Sequence, residues 1–264
     1  MTKLPLGQAI YFARLSQAAY SDSIDAGTFG AVSVEAFDHG GTQAFLLDCG
    51  KAWRVVFRGT EPTSYADIAA GIQVSPTHDG VHYGFARALD RVWGRLVQRM
   101  VAAPRARVQF CGHSLGGALA IEAGRRWGFT CPGSEYYVHA FGSPKVFTTR
   151  ARFPEKHWYK RVWLYVNRND MVPRLPPRRL GCAFGLLPRV VRRTLASVGV
   201  AGGQYRRLGR VVYHNGSRWI ATPNPARMLR QFLGAFGDGA LADHGIDNYI
   251  DALAGQVPTA PGKE

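Results

Sequence analysis

The tightest constraint on this chain lies between residues 107 and 128, where a β-rich stretch, RVQFC, meets a helix former, ALAIEAG, across Gly112-His113-Ser114-Leu115-Gly116-Gly117. A strand that reverses into a helix within a few residues leaves no space for side chains beside the turn. Glycines at 112 and 116 therefore stand where Cβ atoms would collide with the neighbouring strand and helix. The serine between them is forced into a cramped backbone conformation at the tip of the turn. The following helix aims its unpaired N–H groups and positive dipole end at the same point, so the N–H of Leu115 becomes one donor for a developing oxyanion. Glycines before a helix also make plain tight turns. Placement between strand and helix is what distinguishes this one.

Around that turn, short runs of strand formers (AFLLDC, AWRVVFRG, YYVHAFG, RVWLYVN) alternate with longer helical stretches, including one from about Gly84 to Ala103 and one from Ser114 to Gly128. Continuous apolar runs such as Val55-Val56-Phe57 suit strands buried on both faces. The predicted class is α/β, a mostly parallel central sheet flanked by helices. At 264 residues, 46% hydrophobic and 19% charged, one domain over 1–264 suffices, and disordered, collagenous and disulfide-scaffold classes are excluded. Beyond Asn167 the rhythm breaks into Pro- and Gly-rich sequence, and Asn215-Gly216 predicts a hairpin turn.

Polar Gln8, Arg14 and Gln17 interrupt the N-terminal apolar stretch, which reads as a surface-packed helix rather than a secretory signal. No apolar run approaches the ~20 residues that span a bilayer, and the expected location is cytoplasmic, with membrane association left open. Cys49, Cys111, Cys131 and Cys182 form no C-x-x-C pair and have no histidine at ligand spacing, so they read as buried free thiols and no metal site is expected.

A serine at its ordinary pKa needs a base, and sites built on such a turn place an acid and then a histidine downstream. Only His214 and His244 follow the acid candidate. His214, in VVYHNG, reads as a strand-end or turn residue, whereas His244 lies on a Gly-flanked loop ahead of a helix, as a catalytic histidine would. Between Asp170 and Asp238 the chain has no carboxylate. Asp238 and Asp243 stand too near His244 in sequence to reach the far side of its ring without folding back. Asp170, just past the strand RVWLYVN, emerges at the same sheet edge as the serine and is the candidate that orients the imidazole.

Six ordered segments, FRGT (57–60), VHYGF (81–85), GHSLGGALA (112–120), FGSPKV (141–146), NRNDMVPRLPP (167–177) and DHGIDNY (243–249), together resemble the class 3, fungal-type lipase family of α/β hydrolases. The resemblance implies Ser114, Asp170 and His244 as a catalytic triad, with Thr60 joining Leu115 as oxyanion-hole donor. It implies a serine hydrolase of lipid esters, a triacylglycerol lipase or carboxylesterase, working without a cofactor. Thr60 also follows a buried strand and would rim the same edge as the serine. The chain departs from the family where the lid is expected: EPTSYADIAAGIQ (61–73) looks shorter and carries Pro62 and Tyr65.

Between Met171 and Gly237 there is no Asp, Glu or Lys, while twelve arginines fall there, against a net charge of +15 for the whole chain. Within it, Leu187, Val190, Val191, Leu195 and Val198 recur at helical spacing beside Arg189, Arg192 and Arg193. A basic amphipathic helix in a segment of about 181–210 would either pack as an ordinary surface helix or cap the site and rest on lipid. The expected partners are a lipid or other ester substrate and, through the Arg-rich 174–230 segment, the surface of an anionic membrane. Two alternatives stand beside this, a phospholipase A-type hydrolase and a membrane-surface lipid-binding module with weak catalysis. Nucleic acid is disfavoured, because no helix-turn-helix, zinc-finger or RNA-recognition signature accompanies the charge.

Overall fold

The computed structural model describes residues 6–59, 76–176, 205–221 and 243–256. Within them, an eight-stranded sheet runs in the order β1 (Ser33–His39), β2 (Thr42–Asp48), β3 (Ala52–Phe57), β4 (Arg107–His113), β5 (Glu135–Phe141), β7 (Val162–Asn167), β9 (Arg210–His214), β10 (Trp219–Ala221). The four pairings from β3 to β9 are parallel, and those at the two edges are antiparallel. Parallel strands need both faces covered, and both faces are. One carries α2 (Tyr83–Ala102) and α3 (Leu115–Thr130), and the other carries α1 (Leu6–Ala18) and α4 (Ile246–Ala254).

The expected strands all form, and the helices expected at 84–103 and 114–128 begin and end within two residues of those limits. Sequence periodicity missed two features. SVEAFDH forms the edge strand β1, whose side chains are mostly exposed, so it lacks the apolar run that marks the central strands. A separate two-stranded ribbon pairs β6 (Phe147–Thr148) with β8 (Tyr205–Arg206), too short to leave a pattern. The hairpin turn at Asn215-Gly216 joins β9 to β10, with Asn215 Oδ1 accepting from the N–H groups of Ser217 and Arg218.

Helix α3 lies so close to the sheet that nearly all of it is buried, which its small residues permit. A Cβ on Gly124 would meet Val138 Cγ2 at 2.4 Å. The same burial would strand Glu122, which is fully inaccessible. Two carboxylate-to-guanidinium bonds to Arg125 (2.8 and 2.9 Å) and one to Arg126 (2.8 Å) compensate it, as a buried charge requires.

Of the thiols, Cys111 is buried, but Cys49 and Cys131 are only half-buried, because they close a strand and a helix at the rim of the core. Burial pushes the Cys111 thiol up to about 12, so it stays protonated and inert. Cys182 and the predicted amphipathic stretch from Leu187 to Val198 lie outside the described residues, whereas the end of the 181–210 segment, 205–210, is described and contributes β8 (Tyr205–Arg206). No described helix is long and apolar enough to cross a membrane.

Candidate active site

Strand β4 delivers the chain to Ser114, which precedes the first residue of α3 with φ 55° and ψ −124°. A non-glycine residue at such a φ is strained and persists only where its surroundings fix it. They do so mainly by close backbone approach: a Cβ on Gly116 would lie 2.1 Å from the carbonyl oxygen of Phe57, and one on Gly112 would lie 2.3 Å from the backbone of Gly116. The Ser114 N–H donates to the Phe141 carbonyl (2.9 Å), tying the turn to the end of β5. Leu115, at the first helical position, has no carbonyl within the helix to take its N–H.

His244 comes from the loop before α4, 130 residues further on, and its Nε2 lies 2.9 Å from Ser114 Oγ. Its Nδ1 faces the Asp170 carboxylate at 3.0 and 2.9 Å. A carboxylate there must accept, so Nδ1 carries the hydrogen and Nε2 is left as the acceptor of the serine hydroxyl proton. All three side chains are nearly inaccessible: Ser114 at 2%, His244 at 4% and Asp170 at 0%. Gly142, at φ +57°, makes room for the pair, since a Cβ there would meet Asp170 Oδ2 at 2.9 Å and the His244 ring at 3.0 Å.

The carboxylate is itself held. Val172 N–H donates to Oδ1 (2.9 Å) and the Tyr249 phenol donates to Oδ2 (2.6 Å). Burial and the Asp170 charge raise the Tyr249 phenol well above its ordinary value, so it remains a donor at any working pH. The main chain of His244 is held too: His113 Nε2–H donates to the His244 carbonyl (2.7 Å), and Tyr20 donates to His113 Nδ1 (2.8 Å). Burial and the neighbouring His244 hold His113 well below the usual histidine range, which keeps it neutral with one donor and one acceptor nitrogen.

The structure thus brings Ser114, Asp170, His244 and Leu115 to one sheet edge. Thr60 lies outside the described residues, as does Asp238. His214 ends β9 and is buried with its Nδ1 on the Asn167 side chain (3.1 Å), while Asp243 sits in the loop beside His244 with its carboxylate turned to the Asn169 N–H (3.1 Å). Tyr249, His113 and Tyr20 escaped the sequence reading. Tyr249 carried a local signal, five residues beyond His244 on the helix that its loop starts, but Tyr20 lies 93 residues from its partner and carried none.

Residues 54–180 match the family model for lipase (class 3). Among solved structures, the fold is shared with lipase II from Rhizopus niveus (TM-score 0.64, 20% identical, covering 92% of this chain and 94% of that one). It is also shared with a triacylglycerol lipase from Penicillium expansum (TM-score 0.59, 17% identical, 88% and 89%). A third similar structure is a triacylglycerol lipase whose catalytic centre is a serine protease triad (TM-score 0.59, 20% identical, 82% and 83%). The fold is that of the α/β hydrolases, as the sequence resemblance implied.

Proposed function

We propose, from the match of residues 54–180 to the class 3 lipase family model and from the geometry of Ser114, His244 and Asp170, that the chain is a serine hydrolase cleaving carboxylic esters of lipids, a triacylglycerol lipase or carboxylesterase. Ser114 Oγ attacks the ester carbonyl carbon while His244 Nε2 takes the hydroxyl proton, and Asp170 holds the imidazole tautomer and stabilises the imidazolium without taking that proton. The N–H of Leu115 and the hydroxyl and N–H of Thr60 receive the oxyanion. Collapse expels the alcohol, which takes the proton back from His244 and leaves an acyl-Ser114. Water, deprotonated by His244, then releases the acid and regenerates the serine. These steps require no cofactor.

The observation that carries the reading is the 2.9 Å contact from Ser114 Oγ to a His244 ring whose other nitrogen is fixed by Asp170. It is tested with p-nitrophenyl esters from acetate to palmitate, triolein and phosphatidylcholine, each against wild type and Ser114→Ala. Turnover that vanishes in the variant supports the reading, and an unchanged rate in the variant contradicts it. Phosphatidylcholine outpacing the glyceride would favour the phospholipase alternative. Labelling of Ser114 by a fluorophosphonate separates an enzyme from a lipid-binding module.

The proposal extends to one domain over 1–264, to cytoplasmic residence and to peripheral contact between the 174–230 segment and anionic membrane. The last is supported by the twelve arginines that no acidic residue of that segment offsets. Binding to phosphatidylglycerol vesicles that disappears at high salt is the expected result, and salt-independent binding or none contradicts it.

A further inference from the structure

His214 and Asp243, the rival base and rival acid of the sequence, meet at one residue that belongs to neither role. Asn167 ends β7 and is 1% exposed. Its side chain lies between the two: Nδ2 is 3.2 Å from the Asp243 carbonyl oxygen and Oδ1 is 3.1 Å from His214 Nδ1. A carbonyl oxygen only accepts, so the amide nitrogen must face Asp243. The amide oxygen then faces His214, whose Nδ1 must carry the hydrogen. Strand pairing fixes the spacing, since Asn167 is in register with His214 and the Arg168 N–H donates to the His214 carbonyl (3.0 Å). The main chain of Asn167 serves the acid as well, its N–H donating to the Tyr249 phenol (3.0 Å) that holds Asp170.

We infer that Asn167, oriented by His214, is a positioning residue that sets the loop of His244 against Ser114. The held carbonyl belongs to the residue immediately before His244, so letting it go frees the imidazole to shift relative to Ser114. Misplacement of about 1 Å costs on the order of 100-fold in rate. The inference rests on the reading of Ser114, His244 and Asp170 as the reacting groups.

The test compares His214→Leu, which removes the donor, with His214→Asn, whose Nδ2 reproduces the Nδ1 donor. Asn167→Leu is the stronger lesion. On a soluble p-nitrophenyl ester, His214→Asn is expected to keep kcat within about twofold, and His214→Leu to lose about tenfold in kcat at unchanged KM. Asn167→Leu is expected to lose about 100-fold. In the same proteins, amide hydrogen exchange of the peptide spanning 243–246 is expected to speed up in His214→Leu and to stay at the wild-type rate in His214→Asn.

Wild-type kcat in His214→Leu, or an equal loss in His214→Leu and His214→Asn, overturns the inference. Where Asn167→Leu does not fold, the His214 pair decides. If the wild type shows no Ser114-dependent turnover, the hydrolase reading falls by itself, and exchange unchanged in His214→Leu overturns the brace independently.

Discussion

The two halves of the site are held mainly by different means. The nucleophile turn between β4 and α3 is fixed chiefly by exclusion: backbone packs on backbone at Gly112 and Gly116 around Ser114, which sits at φ 55°. The acid and base half is fixed by attraction, through hydrogen bonds from Val172, Tyr249 and His113 that converge on Asp170 and on the loop of His244. Exclusion is all-or-none, because a Cβ either fits or does not. A hydrogen-bonded loop loses function in steps as donors are removed.

Ser114→Ala removes the chemistry while sparing both supports, so hydrolysis should fall by about 10⁴ to 10⁶-fold with the unfolding midpoint nearly unchanged. Parallel kinetics and thermal melts check this. Gly116→Ala attacks the excluded half. Its new methyl meets a backbone oxygen at 2.1 Å, and a loss of about 3 kcal/mol or more of stability, with turnover below detection, is expected. A stable, active Gly116→Ala would show that the turn has slack and would end the contrast.

Tyr249→Phe attacks the other half and should be graded. Losing a hydrogen bond to a charged group costs about 1.5 to 3 kcal/mol, and the part that falls on the transition state lowers kcat about tenfold while KM holds. Denaturant unfolding with steady-state kinetics measures both. If turnover disappears altogether, the attractive half is as brittle as the elbow.

A last effect, which vanishes at neutral pH, concerns acid. His139 is fully buried on β5 beneath Phe12, and burial pushes it down to about 3 from its ordinary 6.5. The unfolded chain binds a proton there below about pH 6.5 and the folded chain does not, so stability falls as pH drops from about 6.5 toward 3. His139→Phe should remove one proton from that dependence, flattening the slope by up to about 1.4 kcal/mol per pH unit. Denaturant midpoints at pH 7, 6, 5 and 4 read it, and an unchanged slope would mean that His139 is protonated within the fold.

The same contrast explains what was legible in the sequence. The excluded half is written within one short stretch, because strand, glycines, serine and helix are consecutive and their collisions are local. Asp170 could be reached by elimination across a segment empty of carboxylates, and His244 by the glycine beside it and the helix that follows. The attractive half joins Tyr20, His113, Asn167, Tyr249 and the 243–244 loop, and hydrogen-bond partners so far apart leave no periodicity to read. His214 and Asp243 showed the right chemistry for a site without showing their place in it. Strand β1 hid for a related reason, since an exposed edge needs no apolar run.

The account depends most on His244 activating Ser114. The most direct measurement is the second-order rate of fluorophosphonate labelling, with the adduct located by peptide mass spectrometry, in wild type and in His244→Ala. Labelling confined to Ser114, and slowed by about 10³-fold or more without the imidazole, is predicted. Labelling elsewhere, or an equal rate in the two proteins, would contradict it.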